Sequence, residues 1–436
     1  MTTDQMITLG VLAAVIAALI WDRVRSDVVA LTGAAVLLMT RVVRPVELQG
    51  AFASPAIMAL ASLFVITYAM ELSGLLDAAI RRMTALCRRI GKAGLWVMIW
   101  LCGAASAFLN NTPIVVLAAP VVRDVSLSLG LSPKRFLIPL SYAAVLGGCC
   151  TLIGTSTNLL VNDMAAISGE PRFGIFEITP VGLVVALTGG VYLLLFSGRR
   201  VPTGEEGIEA PAEGPRIGEP GLAGGQLGSA QSFAAQVPLR PLAALASAGI
   251  FVAVVALAAL EVAPIAACAF GGAVLLILLR VITADEAYSG LRPDVLMLIA
   301  GMVVLGIALD VTGLAGAFTR GLIGSLDGLS PVMALVIIYG ATLFATELLS
   351  NATVAVLFTP IAISLAEALG TSPRPFLVAV MIAGSAAFAT PFGYQTNVLV
   401  YQMGGYNYMD FVRLGIPLNL LTWVAGVAAI MVWFPF

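Results

Sequence analysis

The sequence predicts an all-α polytopic membrane protein made of two inverted-topology repeats, each with three spans, a re-entrant hairpin, a broken helix and a final span. Three observations lead there. Of the 436 residues, 60% are hydrophobic and 11% charged, which leaves too little polar surface for a soluble domain. Polar breaks interrupt apolar runs at Asn110-Asn111-Thr112 and Gly154-Thr155-Ser156-Thr157-Asn158, and again about 240 positions later at Ser350-Asn351-Ala352 and Gly393-Tyr394-Gln395-Thr396-Asn397. Lys and Arg, finally, fall mostly on alternate connections between the apolar runs.

A helix needs about 17–25 residues to cross a bilayer. Spans are expected at 6–22, 28–43 and 55–74, followed by a basic, partly amphipathic stretch at 76–92. The apolar run Ile7–Ile20 has no basic lead and no small-residue cleavage site, so it reads as a retained first span. The next two runs, 94–109 and 114–125, are each marginal for a crossing and meet at the polar tip Asn110–Thr112, which suits a re-entrant hairpin. A broken span at 135–168, interrupted at Gly154–Asn158, and a span at 178–197 complete residues 1–197 as the first repeat. Residues 198–240 are rich in Gly, Pro, Ala and Glu without periodicity and read as a solvated linker. The second repeat, 241–436, has spans at 241–260, 264–282 and 294–311, a hairpin at 331–369, a broken span at 375–404 and a last span at 411–433. The likeness extends beyond the breaks: Arg41-Val42-Val43 matches Arg280-Val281-Ile282, and a Gly-Leu/Thr-Ser-Pro turn follows each hairpin at Gly130–Pro133 and Gly370–Pro373.

With a re-entrant hairpin each half has an odd number of crossings, so the second must be inverted. On that topology 17 of the 22 Lys and Arg lie on the linker side. The positive-inside rule then puts the linker in the cytoplasm and both termini outside. The net charge of −2 without a basic face gives no nucleic-acid footprint. No histidine occurs, and Cys87, Cys102, Cys149, Cys150 and Cys268 have no C-x-x-C spacing. The usual proton relay, zinc sites and disulfide frameworks therefore have no basis.

The breaks carry the chemistry. Irregular backbone inside a bilayer survives only against protein or a wet cavity, and breaks at matching places in two inverted halves mark a transporter site near the midplane. Helix starts at Thr112-Pro113 and after Asn351 offer free N–H groups to an anion, with Thr112 expected as cap and Pro113 as first helical residue. Carbonyls freed at Gly154 and Gly393, with nearby amide and hydroxyl oxygens, suit a hard cation such as Na+. A lone Asn-Thr-Pro in a membrane segment is more often a loop or a kink; four breaks in register are not. Glu71 and Asp310 read as interface anchors near span ends. Glu347, three residues before Ser350 where the first hairpin has Ala107, reads as functional, with pairing or snorkelling the alternative.

At these residues the chain resembles the divalent-anion/sodium symporter family, within the ion-transporter superfamily of citrate and arsenite permeases. The likeness covers both halves and leaves out the linker. The family carries Ser-Asn-Thr at each hairpin tip; Asn110-Asn111-Thr112 and Ser350-Asn351-Ala352 keep the central Asn and depart at one flanking place each. The resemblance implies one Na+ held by Ser106, Asn110, Asn111 and Gly154, ahead of Asn158, and another by Thr346, the Leu349 backbone, Asn351 and Gly393, ahead of Asn397. It implies a small anionic substrate touching Asn110, Asn111, Thr112, Thr155, Ser156, Ser350, Asn351, Ala352, Gln395 and Thr396. It also implies a homodimer with a scaffold part and a moving transport part. The unwound segments look more like the branch linked to sulfate than the dicarboxylate branch, which has prolines there. The expected function is thus Na+-coupled symport of sulfate or a dicarboxylate, without an organic cofactor. A cation/proton antiporter or arsenite-type permease of the same superfamily is the alternative. An intramembrane enzyme is excluded by the lack of H-E-x-x-H, G-x-S-x-G and paired intramembrane aspartates.

Overall fold

The computed structural model describes residues 2–21, 23–200, 238–317 and 330–436. Most of the expected linker, and Arg320, lie outside these residues. The first half runs α1 (Thr3–Trp21), α2 (Ser26–Met39), α3 (Pro45–Phe52), α4 (Pro55–Leu72), α5 (Leu75–Ile90), α6 (Lys92–Ser106), α7 (Asn111–Ser128), α8 (Lys134–Gly148), α9 (Ser156–Ile167) and α10 (Thr179–Arg200). The second runs α11 (Pro241–Ala259), α12 (Ile265–Leu278), α13 (Ala284–Gly290), α14 (Pro293–Val311), α15 (Pro331–Ala345), α16 (Asn351–Leu369), α17 (Arg374–Ala383), α18 (Gln395–Gly404) and α19 (Tyr408–Trp433). Among the described residues six helices are long and apolar enough to cross a membrane, and several shorter apolar helices accompany them.

Local chemistry sets the boundaries. Proline stands at the first position of α3, α4, α11, α14 and α15, where its missing N–H costs nothing. Arg41 and Arg280 take the left-handed conformation at φ 61° and 55°, an uncommon state for a non-glycine residue, and they occupy matching places after α2 and α12.

Helix pairings are reciprocal between the halves. α2 packs on α14 as α12 packs on α4; α6 packs on α8 as α15 does on α17; α7 meets α18 as α16 meets α9. α10 and α19 pack on each other. Close backbone approach holds several of these crossings, as small residues do in membrane bundles. A Cβ on Gly147 would stand 1.9 Å from the Gly103 carbonyl oxygen, and one on Gly301 within 3.0 Å of the Ala30 backbone.

The structure corrects three details of the sequence reading. The cap of α7 is Asn110, whose side chain accepts from Thr112 N at 3.3 Å; Thr112 and Pro113 are its second and third residues. The first break falls at Cys149–Thr155, and Ser156, Thr157 and Asn158 already form the first turn of α9, because Thr155 is extended and opens the helix. The second break begins earlier than Gly393, at Gly384, leaving α17 only ten residues long. Two short helices, α3 and α13, fill connections between the expected spans. Each starts at a residue whose backbone N–H is met by a Glu three positions on: Arg44 by Glu47, and Thr283 by Glu286.

Candidate functional site

Each hairpin is two helices joined by a short unwound tip. In the first, Ser106 at the end of α6 donates its hydroxyl to Asn111 Oδ1 at the start of α7, both fully buried. In the second, Thr346 Oγ1 lies 2.9 Å from Asn351 Oδ1 and 2.8 Å from the Gly384 carbonyl oxygen. A hydroxyl has one proton to give, so three oxygens converge there with more acceptor capacity than donors. Ser350 caps α16, accepting from Thr353 N at 3.3 Å, with the two hydroxyls 2.7 Å apart.

The two breaks are built to one plan, a Thr-x-x-Gly…Asn series. Thr151 Oγ1 donates to the Ala107 carbonyl and accepts from Gly154 N at 3.2 Å. Thr390 Oγ1 lies 3.2 Å from the Glu347 carbonyl and accepts from Gly393 N at 3.0 Å. Asn158 Nδ2 then ties back to the Thr151 carbonyl at 2.9 Å, and Asn397 Nδ2 to the carbonyls of Thr390 and Ala387 at 3.2 and 2.9 Å. Glycine is required at the first break because a Cβ on Gly154 would stand 2.5 Å from the Gly148 oxygen and 2.8 Å from the Ala107 oxygen. A Cβ on Gly148 would meet Asn111 Oδ1 at 2.8 Å and the Gly154 oxygen at 3.3 Å. Ser106, Asn111 and Gly154 therefore bring oxygens to one place.

The halves are joined through the site. Asn111 Nδ2 donates to the Tyr394 hydroxyl at 2.7 Å, and Thr112 Oγ1 reaches Gln395 Oε1 at 3.4 Å. Ser141 Oγ of α8 lies 2.7 Å from both Asn397 Oδ1 and Thr396 Oγ1; its one proton goes to the amide oxygen, which only accepts, and it accepts from the Thr396 hydroxyl. Among the described residues no matching hydrogen bond joins Ser350, Asn351 or Ala352 to Thr155 or Ser156; Thr155 instead reaches Thr157 Oγ1 at 3.4 Å. Leu349 sits half-buried in the second tip, its N–H held by the Ala345 carbonyl at 2.9 Å. Gly393 sits against Ala387, Thr390 and Glu347, and the carbonyl that meets Thr346 belongs to Gly384.

Spacing alone did not mark Tyr394 or Ser141 as members of the site. The repeated Thr-x-x-Gly at Thr151 and Thr390 was visible in the sequence as a pair. Among the described residues no cluster of His, Cys, Asp and Glu could hold a metal ion. The oxygens gathered at the tips are hydroxyls, amides and carbonyls, a donor set for a hard cation.

Paired helix hairpins packed against paired broken helices, within a bundle of apolar spans, define an integral membrane protein of the secondary transporter class. Solved structures agree at the level of the fold: a transporter from Alcanivorax borkumensis, YdaH, superposes with a TM-score of 0.60 over 88% of this chain and 87% of its own, at 15% identity. The chain belongs to the citrate transporter family CitMHS, whose model matches residues 16–367 and 342–435, within the ion-transporter superfamily; its members are transporters, not enzymes. An uncharacterised transporter from Synechocystis, sll0640, is 24% identical across 98% of this chain and 96% of its own length. A sodium/sulfate cotransporter from Chlamydomonas reinhardtii, number 2 of its series, is 35% identical over a shorter stretch, 37% of this chain and 18% of its own.

Proposed function

We propose that this transporter carries a small (di)anion, such as sulfate or a dicarboxylate, together with Na+ by alternating access. The observation that carries the reading is the pair of oxygen clusters, Ser106–Asn111–Gly154 and Thr346–Asn351–Gly384, each beside the N-terminus of a hairpin helix. Na+ would be held in the first cluster, with Asn110 and Asn158 near by, and in the second, with Leu349, Gly393 and Asn397 around it. The anion would sit where the N–H groups opening α7 and α16 point, in reach of Thr112, Ser350, Ala352, Thr155, Ser156, Gln395 and Thr396. The partial likeness to a sodium/sulfate cotransporter supports both ions.

The reciprocal helix pairings support two inverted repeats, 1–197 and 241–436, on either side of the linker. The proposal includes a homodimer in the bacterial inner membrane with the linker in the cytoplasm. Uptake of radiolabelled sulfate, thiosulfate, succinate and citrate into proteoliposomes, with and without a Na+ gradient, tests the reading. Accumulation of one of these anions only under an inward Na+ gradient is expected; uptake unchanged in choline and driven by a pH gradient refutes it.

A further inference from the structure

The two halves follow one plan, so the places where they differ are informative. The first difference is Glu347, which stands where the first hairpin has Ala107. Its carboxylate is buried and receives five donors. Oε1 accepts from Phe388 N at 2.8 Å, Ala389 N at 2.7 Å and Asn419 Nδ2 at 2.7 Å. Oε2 accepts from Thr390 N at 2.9 Å and Thr390 Oγ1 at 3.0 Å. No Lys or Arg pairs with it among the described residues. The donors explain the residue. An unwound segment within a bilayer frees backbone N–H groups that must find acceptors. In the first half Leu152 N finds the Ile175 carbonyl at 2.9 Å, and Cys149 N and Cys150 N stay bonded to the carbonyls of Val145 and Gly147. The second break is longer, and Glu347 supplies what the backbone does not.

The second difference is the fate of the Asn in the first helical turn after each break. Asn397 Oδ1 accepts from Ser141. Asn158 Oδ1 is fully buried and has no hydrogen-bond partner. The position that corresponds to Ser141 in the second half is Met381, which has nothing to donate. Ser385 Oγ in the second break and Asn419 Oδ1 beside Glu347 are likewise buried without a partner.

From the first of these differences, and building on the Na+-coupled reading, we infer that the cation sites are unequal and filled in order. The second, around Thr346 and Asn351, is the tighter and fills first. Glu347 holds its unwound segment in place and puts a fixed negative charge beside it, with Oε2 against Gly393. The first site, around Ser106 and Asn111, has Ala107 where the second has Glu347, and so no neighbouring carboxylate. It is the weaker site and closes with the anion. Glu347 is thus a positioning residue for one site.

The test is Na+ binding to the purified full chain in nanodiscs, followed by calorimetry and by thermal unfolding, with choline keeping ionic strength constant. Wild type should bind Na+ in two steps at least tenfold apart, the weaker moving to lower Na+ when the transported anion is added. Glu347→Gln, which keeps the shape but turns an amide N–H2 toward the donors, should weaken the tight step tenfold or more and leave the other in place. Ser106→Ala should do the reverse. In a double-mutant cycle Asn351→Ala should add little to Glu347→Gln, while Asn111→Ala should add in full. A single wild-type step, or a Glu347→Gln curve like wild type, overturns the inference while Na+ coupling stands. Absence of any Na+ binding to wild type overturns the transport reading itself. Should Glu347→Gln not purify folded, Asn419→Ala removes one donor from the carboxylate; it should weaken the tight step alone, and equal weakening of both steps overturns the inference.

Discussion

Asn111 donates its amide N–H to the hydroxyl of Tyr394 at 2.7 Å, joining the tip of the first hairpin to the unwound segment of the second half across 283 residues. The bond ties Asn111 in two directions, since its Oδ1 accepts from Ser106. The orientation of a proposed cation ligand therefore depends on a residue of the other half. Tyr394→Phe removes only the hydroxyl. A buried hydrogen bond contributes about 0.5–1.5 kcal/mol, and an unmet donor costs about 1–3. The half-saturating Na+ concentration should rise by roughly 3- to 30-fold, with the variant still purifying as a folded protein. Uptake measured against Na+ at fixed anion checks this; an unchanged Na+ curve would separate Tyr394 from the site.

How much of this could be read from the chain follows a physical line. The hairpin tips and breaks were legible because Asn, Ser and Thr among apolar residues have no reason to be there unless something polar meets them. The repeat was legible because it is written in register, from Arg41 and Arg280 to Asn158 and Asn397. Contacts between halves were not: Tyr394 looks like any interfacial tyrosine until the fold brings it to Asn111, and Ser141 lies in an apolar helix with no local signal. The boundary at Gly384 was hidden because Gly384–Ala389 is as apolar as the helix before it. Only the four donors that the break turns toward Glu347 reveal the unwinding.

The proposed inverted arrangement makes a prediction at two matching places. Ser128 ends α7 and Ala368 lies near the end of α16, both exposed. The native cysteines leave a low background, with Cys87, Cys102, Cys149 and Cys150 buried. In intact cells Ser128→Cys should be protected from an impermeant thiol reagent until the membrane is permeabilised, whereas Ala368→Cys should react at once. Labelling of both from the same side would rule out inversion.

The glycines of the two breaks should differ in tolerance. A Cβ on Gly154 runs into two carbonyl oxygens, which cannot turn aside without moving the break. On Gly393 it meets Ala387 Cβ at 2.9 Å and Thr390 Oγ1 at 3.0 Å, a methyl and a hydroxyl. Gly154→Ala should cost about 1–3 kcal/mol as an overpacked site and abolish most transport. Gly393→Ala should leave more activity, and Gly50→Ala, with nothing within 4 Å of the new methyl, should resemble wild type. Thermal unfolding and uptake on the three variants give the order; Gly154→Ala at wild-type activity would contradict the packing.

The last prediction concerns how an anion is held with no basic side chain at the tips or breaks. The groups available are the N–H ends of α7 and α16 and the hydroxyls of Thr112 and Ser350. A helix terminus contributes about 0.3–1 kcal/mol when exposed and up to about 2 when partly buried. Two termini at their best give roughly 4 kcal/mol, which is binding on the order of millimolar. Any tighter affinity must come from the charge of Na+ bound in the neighbouring oxygen clusters, because an adjacent cation in a low-dielectric site outweighs a helix end. Anion affinity should therefore climb steeply with Na+, by more than tenfold between Na+-free and saturating conditions. Asn111→Ala and Asn351→Ala should each flatten that dependence. Calorimetric titration of the purified protein with sulfate or succinate, in Na+ and then in choline, measures it directly. Equal affinity in the two salts would mean that the anion is held by protein groups elsewhere, with Arg172 and Arg374, the basic residues by the Asp163 and Glu177 carboxylates, as the first to examine.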